Sequence, residues 1–82
     1  MNNINDLRKN IDHIDDNIIK LLEDRYKLVE KIGKIKKENN LNVYDKKREE
    51  IIYKKIDNST FSYKNEIKKI YDEIITISKE IQ

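Results

Sequence analysis

An all-α fold of three helices, one of them very long, is predicted by two features of this 82-residue sequence. The chain contains no proline and a single glycine, and these are the residues that most often interrupt helices. Apolar residues also recur at intervals of three and four along the first part of the chain, which is the spacing of one helix face. This apolar seam occupies ten positions, nine of them apolar: Ile4, Leu7, Ile11, Ile14, Ile18, Leu21, Arg25, Leu28, Ile32 and Ile35.

The first helix is predicted to begin at Asn5 or Asp6 and to end at Glu38, with Asn3, Asn5 and Asp6 as candidate caps. At about 1.5 Å per residue, a helix of this length spans roughly 50 Å. A compact domain of this size has a radius of gyration of only about 12 Å. The rest of the chain therefore cannot cover the apolar seam, and we expect a second copy or another partner to bury it.

Two shorter helices are predicted after the connection 39–44, which is rich in asparagine. Asp45 is a good cap for a helix from Lys46 to Ile56, and Ser62 can cap a third helix from Tyr63 to the end. The apolar stripe of the third helix is expected to comprise Ile67, Ile70, Ile74, Ile77 and Ile81, with Tyr71, Ile75, Ser78 and Gln82 along one shoulder.

Composition excludes several classes of function. The absence of cysteine excludes disulfides and thiolate zinc sites, and one histidine disfavours a histidine metal site. Charged residues make up 41% of the chain, but the net charge is only +2, which argues against a nucleic-acid binder. No apolar run approaches the ~18 residues of a membrane span, and the N-terminus has no signal-peptide core. We therefore expect a cytoplasmic protein that does not associate with membranes.

The three arginines occupy unusual positions in a chain with 15 lysines. Arg25 interrupts the apolar seam, Arg8 flanks it, and Arg48 lies on the inward face of the second helix. An arginine fork suits the bidentate binding of carboxylate or phosphate, and a buried cation needs an anionic partner. One interpretation is an internal salt bridge to Glu49 or Asp45.

The other interpretation is a pocket for a small anion. Lys36 also points inward, and together with the three arginines it gives four inward cations for two inward carboxylates. Ser78 and Gln82 add neutral hydrogen-bonding groups on the inner shoulder of the third helix. The sequence offers no obvious nucleophile or proton-transfer pair. These residues predict a dianion pocket in a helical dimer. Gly33, which costs about 1 kcal/mol within a helix, predicts the close approach of a crossing helix, with direct contact to a substrate as the alternative.

Four segments together resemble the all-helical chorismate mutases, the type II class with an intertwined dimer: "LRKNIDHIDDNIIKLLEDR", "VEKIGKIK", "VYDKKREE" and "IYDEIITISKEIQ". The resemblance covers nearly the whole chain, from Leu7 to Gln82. It implies an isomerase that converts chorismate to prephenate, on the route to phenylalanine and tyrosine, without a metal or cofactor. It also implies an intertwined homodimer.

The resemblance implies roles for three cations of the first helix. Arg8 matches an arginine that reaches into the site of the neighbouring subunit, and Arg25 matches one that clamps a substrate carboxylate in its own subunit. Lys36 matches a lysine that contacts a carboxylate and the ether oxygen of the breaking bond. By this resemblance, Arg25 interrupts the seam because the seam opens there around the substrate.

The resemblance assigns five further residues to the substrate site. Asp45, Arg48 and Glu49 match the second-helix segment that lines it, with Glu49 and the Asp45 region holding the ring hydroxyl. Ser78 and Gln82 match a third-helix pair, of which Gln82 donates to the ether oxygen. Gln82 is the last residue here, whereas family domains usually continue, so a mutase domain spanning 1–82 of a longer polypeptide, fused to another aromatic-pathway enzyme, is one expectation.

Three alternative functions stay open at the level of sequence. An isochorismate-pyruvate lyase shares the fold and much of the site. A regulatory domain would bind chorismate or prephenate without efficient turnover. A helical dimerisation module would use the seam alone, but it would not need Arg25, Lys36, Ser78 and Gln82 turned inward together.

Overall fold

A computed structural model describes residues 3–82, and three α-helices account for most of this range. Helix α1 spans Ile4–Glu38, α2 spans Lys46–Asp57 and α3 spans Lys64–Ile81. Residues 3–82 contain no β-strand. The predicted all-α fold with one very long helix is confirmed.

Side-chain caps begin the first two helices. The Asn3 side chain accepts a hydrogen bond from the Asp6 N–H at 3.0 Å, and Asp45 accepts one from the Arg48 N–H at 3.0 Å. Each cap satisfies one of the N–H groups that lack a partner within the first turn of a helix. Asn3 and Asp45 were both candidate caps in the sequence.

The predicted cap of the third helix is wrong. Tyr63, rather than Ser62, occupies the cap position of α3, and no side chain caps this helix. The connection before α3 is ordered instead by Ser59, whose hydroxyl donates to the Ile56 carbonyl at 2.6 Å. Because this turn delays the start of the helix to Lys64, Ser62 lies one residue too early to act as its cap.

The chain is elongated, with principal extents of 58 × 25 × 14 Å and a radius of gyration of 16.2 Å. Helix α3 packs against both α1 and α2. The buried core is small and consists of Val29, Ile56, Ile74, Ile75 and Ser78. None of the helices in the described range is long and apolar enough to cross a membrane.

The apolar seam of α1 is not covered by its own chain. Its nine apolar side chains are each between 46% and 65% exposed, as expected if another molecule buries them. The face of α1 that packs within the chain is a neighbouring stripe that contains the buried Val29 and Gly33. Arg25 lies at the border of the two surfaces.

The buried face of α3 differs from the expected stripe. Ile70 is 63% exposed, and Ile77 and Ile81 are more than a third exposed. The buried residues are Ile74, Ile75 and Ser78, so the shoulder expected beside the stripe is part of the core. Because α3 touches α1 on one side and α2 on the other, its contact face is rotated towards that shoulder.

Candidate active site

A cavity of about 370 Å³ opens where α1, the connection 39–45, the start of α2 and the end of α3 meet. Its volume lies in the range of small-molecule sites. The polar lining consists of Arg25, Lys36, Asp45, Arg48, Glu49, Ser78, Lys79 and Gln82. Seven of these eight residues were predicted from the sequence to be site residues; Lys79 was not, and Arg8 does not line this cavity.

Arg25 is held by a hydrogen bond to the third helix. Its Nη1 donates to the Ser78 hydroxyl at 2.6 Å, and that hydroxyl donates in turn to the Ile74 carbonyl at 2.6 Å. The buried Ser78 therefore has its one proton committed and presents a lone pair to the guanidinium. A guanidinium carries five N–H donors, so Arg25 keeps donors for a ligand.

Lys36 ties the end of α1 to the connection that leads to α2. Its Nζ donates to the Val43 carbonyl at 2.9 Å. The Leu41 N–H donates to the Lys36 carbonyl at 2.8 Å, and Asn40 supplies the turn with a positive φ of 55°. Asparagine tolerates that left-handed conformation better than most residues. An ammonium has three donors, so Lys36 can bind the connection and an anion together.

The two carboxylates of the site do not pair with an arginine. The Asp45 side chain is engaged at the start of α2, and Glu49 Oε2 lies 3.4 Å from Lys79 Nζ. The salt bridges of residues 3–82 all involve lysine. The internal salt bridge of an arginine to Glu49 or Asp45, one of the two interpretations of the sequence, is therefore not formed, because both carboxylates have other partners.

Lys79 is the site residue that the sequence did not reveal. Besides its contact with Glu49, its ammonium lies 5.4 Å from the centre of the Tyr44 ring, within the range of a cation–π contact. Lys79 therefore links α3 to α2 and to the connection that precedes α2. Nothing distinguished Lys79 from the other lysines, since the chain has 15 of them. Its spacing of three residues from Gln82 does place the two residues on the same side of α3.

Gln82 reaches the cavity from the end of α3. Its backbone N–H donates to the Ser78 carbonyl at 3.1 Å. Its amide Oε1 is buried and has no hydrogen-bond partner among the described residues. Buried polar atoms almost always have partners, so this carbonyl oxygen is free to accept a hydrogen bond from a molecule in the cavity.

The cavity is electropositive, because its lining contains four cations and two carboxylates. Cations in a partly enclosed site attract anions more strongly than they would in bulk water. Arg8 cannot add to this charge from its own chain, since 17 residues of helix place it roughly 25 Å from Arg25. Its predicted role in a neighbouring site stays a prediction.

The fold and the cavity together define a small all-helical protein with an electropositive cavity of small-molecule size. A family model described as chorismate mutase type II matches residues 7–82, and the chain belongs to that family.

The chain is similar to one curated enzyme and to one solved structure. The bifunctional chorismate mutase/prephenate dehydratase of Aquifex aeolicus (strain VF5) is 45% identical over 56 residues. That match covers 68% of this chain but only 16% of the length of the relative. A solved structure, a conserved hypothetical protein from Pyrococcus furiosus, is 41% identical with a TM-score of 0.77, and the match covers 92% of this chain and 88% of the other.

Proposed function

We propose that this chain catalyses the intramolecular rearrangement of chorismate to prephenate. Membership of the chorismate mutase type II family is the observation that carries the proposal. The cavity supports it physically, because two positive charges in excess match the two carboxylates of chorismate.

The residues of the cavity suit a reaction without proton transfer. The enzyme has to hold the compact reactive conformation of the substrate and to stabilise the charge that develops on its ether oxygen. Orientation of this kind supplies up to about 7–11 kcal/mol of barrier lowering in the best intramolecular models. A preorganised donor at the developing charge supplies roughly 3–4 kcal/mol more where water is excluded.

Each polar group has a role in this proposal. Arg25 binds one carboxylate with the donors that Ser78 leaves free. Lys36 and Gln82 act on the ether oxygen, and Lys36 also contacts a carboxylate. Arg48 lines the cavity free of any carboxylate partner among residues 3–82, which leaves its fork available to the substrate. Asp45 and Glu49, which line the same cavity, accept from the ring hydroxyl.

The active unit in this proposal is a homodimer. The exposed apolar seam supports it, since a second copy would cover the surface that one chain leaves open. Arg8 of each chain then enters the site of the other and adds a further cation. Residues 1–82 form one mutase domain, either alone or joined to further chain as in the bifunctional relative.

The test is an assay of the purified chain with chorismate and, separately, with isochorismate. We expect loss of chorismate with an equal amount of prephenate formed. Release of pyruvate from isochorismate at a higher kcat/KM would assign the chain to the lyases instead. Binding of chorismate without its conversion would assign it a regulatory role.

A further inference from the structure

Gly33 contacts the main chain of Gln82 more closely than any other residue could. A Cβ atom on Gly33 would lie 2.9 Å from Gln82 Cα, 3.3 Å from its Cβ and 3.4 Å from its Cγ. Contacts below 3.0 Å essentially never occur for real Cβ atoms. The end of α3 therefore rests directly on the backbone of α1, which is the close approach that the glycine predicted.

Few polar contacts hold Gln82 in place. Its backbone makes one hydrogen bond along α3, and its buried Oε1 has no partner among the described residues. The position of its side chain is thus set by packing against α1. Gly33 is buried at the centre of that contact.

Lys36 lies one turn beyond Gly33 on the same side of α1, and it lines the cavity together with Gln82. We infer that Gly33 is a positioning residue whose missing side chain seats Gln82 in the cavity beside Lys36. The inference rests on the proposed function, in which Lys36 and Gln82 act together on the ether oxygen. It also explains why a residue with poor helix propensity stands within a 35-residue helix.

The inference predicts opposite effects of Gly33→Ala on the helix and on the reaction. Alanine is the better helix former, but its methyl group would push the backbone of Gln82 away from α1. A shift of about 1 Å in a catalytic group can lower the rate by about 10²-fold. We expect Gly33→Ala to lower kcat by about 10- to 100-fold with a smaller change in KM, because the ether oxygen gains charge only in the transition state.

A double-mutant cycle with Gln82→Ala separates positioning from general damage. Gln82→Ala has no side-chain amide whose position Gly33 could affect. The double variant should therefore have a kcat less than about 2-fold below that of Gln82→Ala alone. Equal losses from Gly33→Ala in both backgrounds would overturn the inference, as would a wild-type kcat for the single variant. Lys34→Ala is the matched control on the adjacent, exposed position of α1, where the lysine pairs with Glu30, and it should leave kcat unchanged.

A second measurement does not depend on activity or on the folding of any variant. In the unaltered protein, nuclear Overhauser effects should connect the Gly33 Hα protons with the Hα and side-chain protons of Gln82. Their absence would overturn the inference even if the enzyme is active. Failure of the chain to convert chorismate, with these effects present, would instead overturn the proposed function and leave the contact established.

Discussion

At the scale of single residues, Arg25 shows how one side chain serves two surfaces. It stands at a seam position of α1, yet its guanidinium turns to Ser78 on α3 and to the cavity. A lysine could carry the charge but not the planar fork that bonds the Ser78 hydroxyl and keeps donors free for a carboxylate. This geometry explains why the rarer cation occurs at this position.

Gln82 gives the clearest prediction at this scale. Gln82→Ala removes the donor that we propose acts in the transition state, so we expect kcat to fall by about 10²-fold or more with a smaller change in KM. Gln82→Glu can donate a hydrogen bond only when protonated, and the reference pKa of glutamate is about 4.3. Its kcat should therefore be low at neutral pH and rise as the pH falls, as steady-state assays across pH would show. Near-wild-type kcat for Gln82→Ala would mean that the amide does not act on the reaction.

The contribution of Lys79 to activity can be tested by removing its ion pair with Glu49. It lies 3.4 Å from Glu49 and stands over Tyr44, so we expect Lys79→Met to release the carboxylate that we propose accepts from the ring hydroxyl. The pair is partly exposed, and such pairs are worth about 1 kcal/mol or less, so kcat/KM should fall by no more than about 5-fold. Lys79→Arg should retain most activity. A loss of about 100-fold in Lys79→Met would indicate that Lys79 contacts the substrate itself.

At the scale of elements, α2 and α3 are joined outside the cavity by a hydrogen bond from the Tyr53 hydroxyl to Asp72 Oδ1. This bond to a carboxylate, together with burial, raises the pKa of Tyr53 to about 12. The neutral phenol is therefore the form that the folded state favours. Its contribution to stability is complete below the unfolded pKa of about 10 and is lost as the pH rises towards 12.

Tyr53→Phe checks that linkage. The variant lacks the hydrogen bond, so it should unfold at a lower denaturant concentration than the wild type at pH 8. Between pH 10 and 12 the wild type should lose this advantage, and the two midpoints should converge. A constant difference between the midpoints over that range, measured by chemical denaturation, would contradict the assignment.

The helices differ in how far their sequences predicted them. Asn3 and Asp45 were readable as caps because a cap bonds an N–H three residues later, which is a local relation. The prediction that Ser62 caps α3 was wrong, because the start of this helix depends on the turn that Ser59 orders. The buried face of α3 was displaced from the expected stripe because contacts with two other helices decide its rotation.

The site was predicted to the extent that its residues were chemically unusual in this chain. Arginines among many lysines, a glycine in a long helix and polar groups on an apolar shoulder all carried a signal. Lys79 carried none, since its role depends on the fold bringing Glu49 and Tyr44 beside it. The role of Arg8 stays a prediction, because its proposed site belongs to a second copy of the chain.

At the scale of the whole molecule, shape and surface point to self-association. The radius of gyration of 16.2 Å exceeds the roughly 12 Å of a compact chain of this length, and the apolar seam is open along α1. Covering each half-exposed seam side chain stabilises a complex by about 1 kcal/mol. Over the nine side chains of two copies, that gain can offset the roughly 4–15 kcal/mol cost of association.

The proposed dimer predicts complementation between two inactive variants. Arg8→Ala and Arg25→Ala should each abolish most activity, but a mixed dimer would hold one site with both lesions and one with neither, provided that Arg8 acts across the interface. Mixed and re-equilibrated samples should therefore regain part of the wild-type kcat. If mass spectrometry shows that heterodimers have formed and they are still inactive, the shared site is contradicted.

The central claim is that fixed cations in this cavity accelerate the rearrangement of chorismate. The most direct measurement compares the kcat of Lys36→Met with that of Lys34→Met, two similar changes on one helix. Lys36 lines the cavity, whereas Lys34 is 73% exposed and pairs with Glu30. We expect Lys36→Met to lose about 10²-fold or more in kcat at every pH and Lys34→Met to match the wild type. Equal kcat values for the two variants would contradict the account.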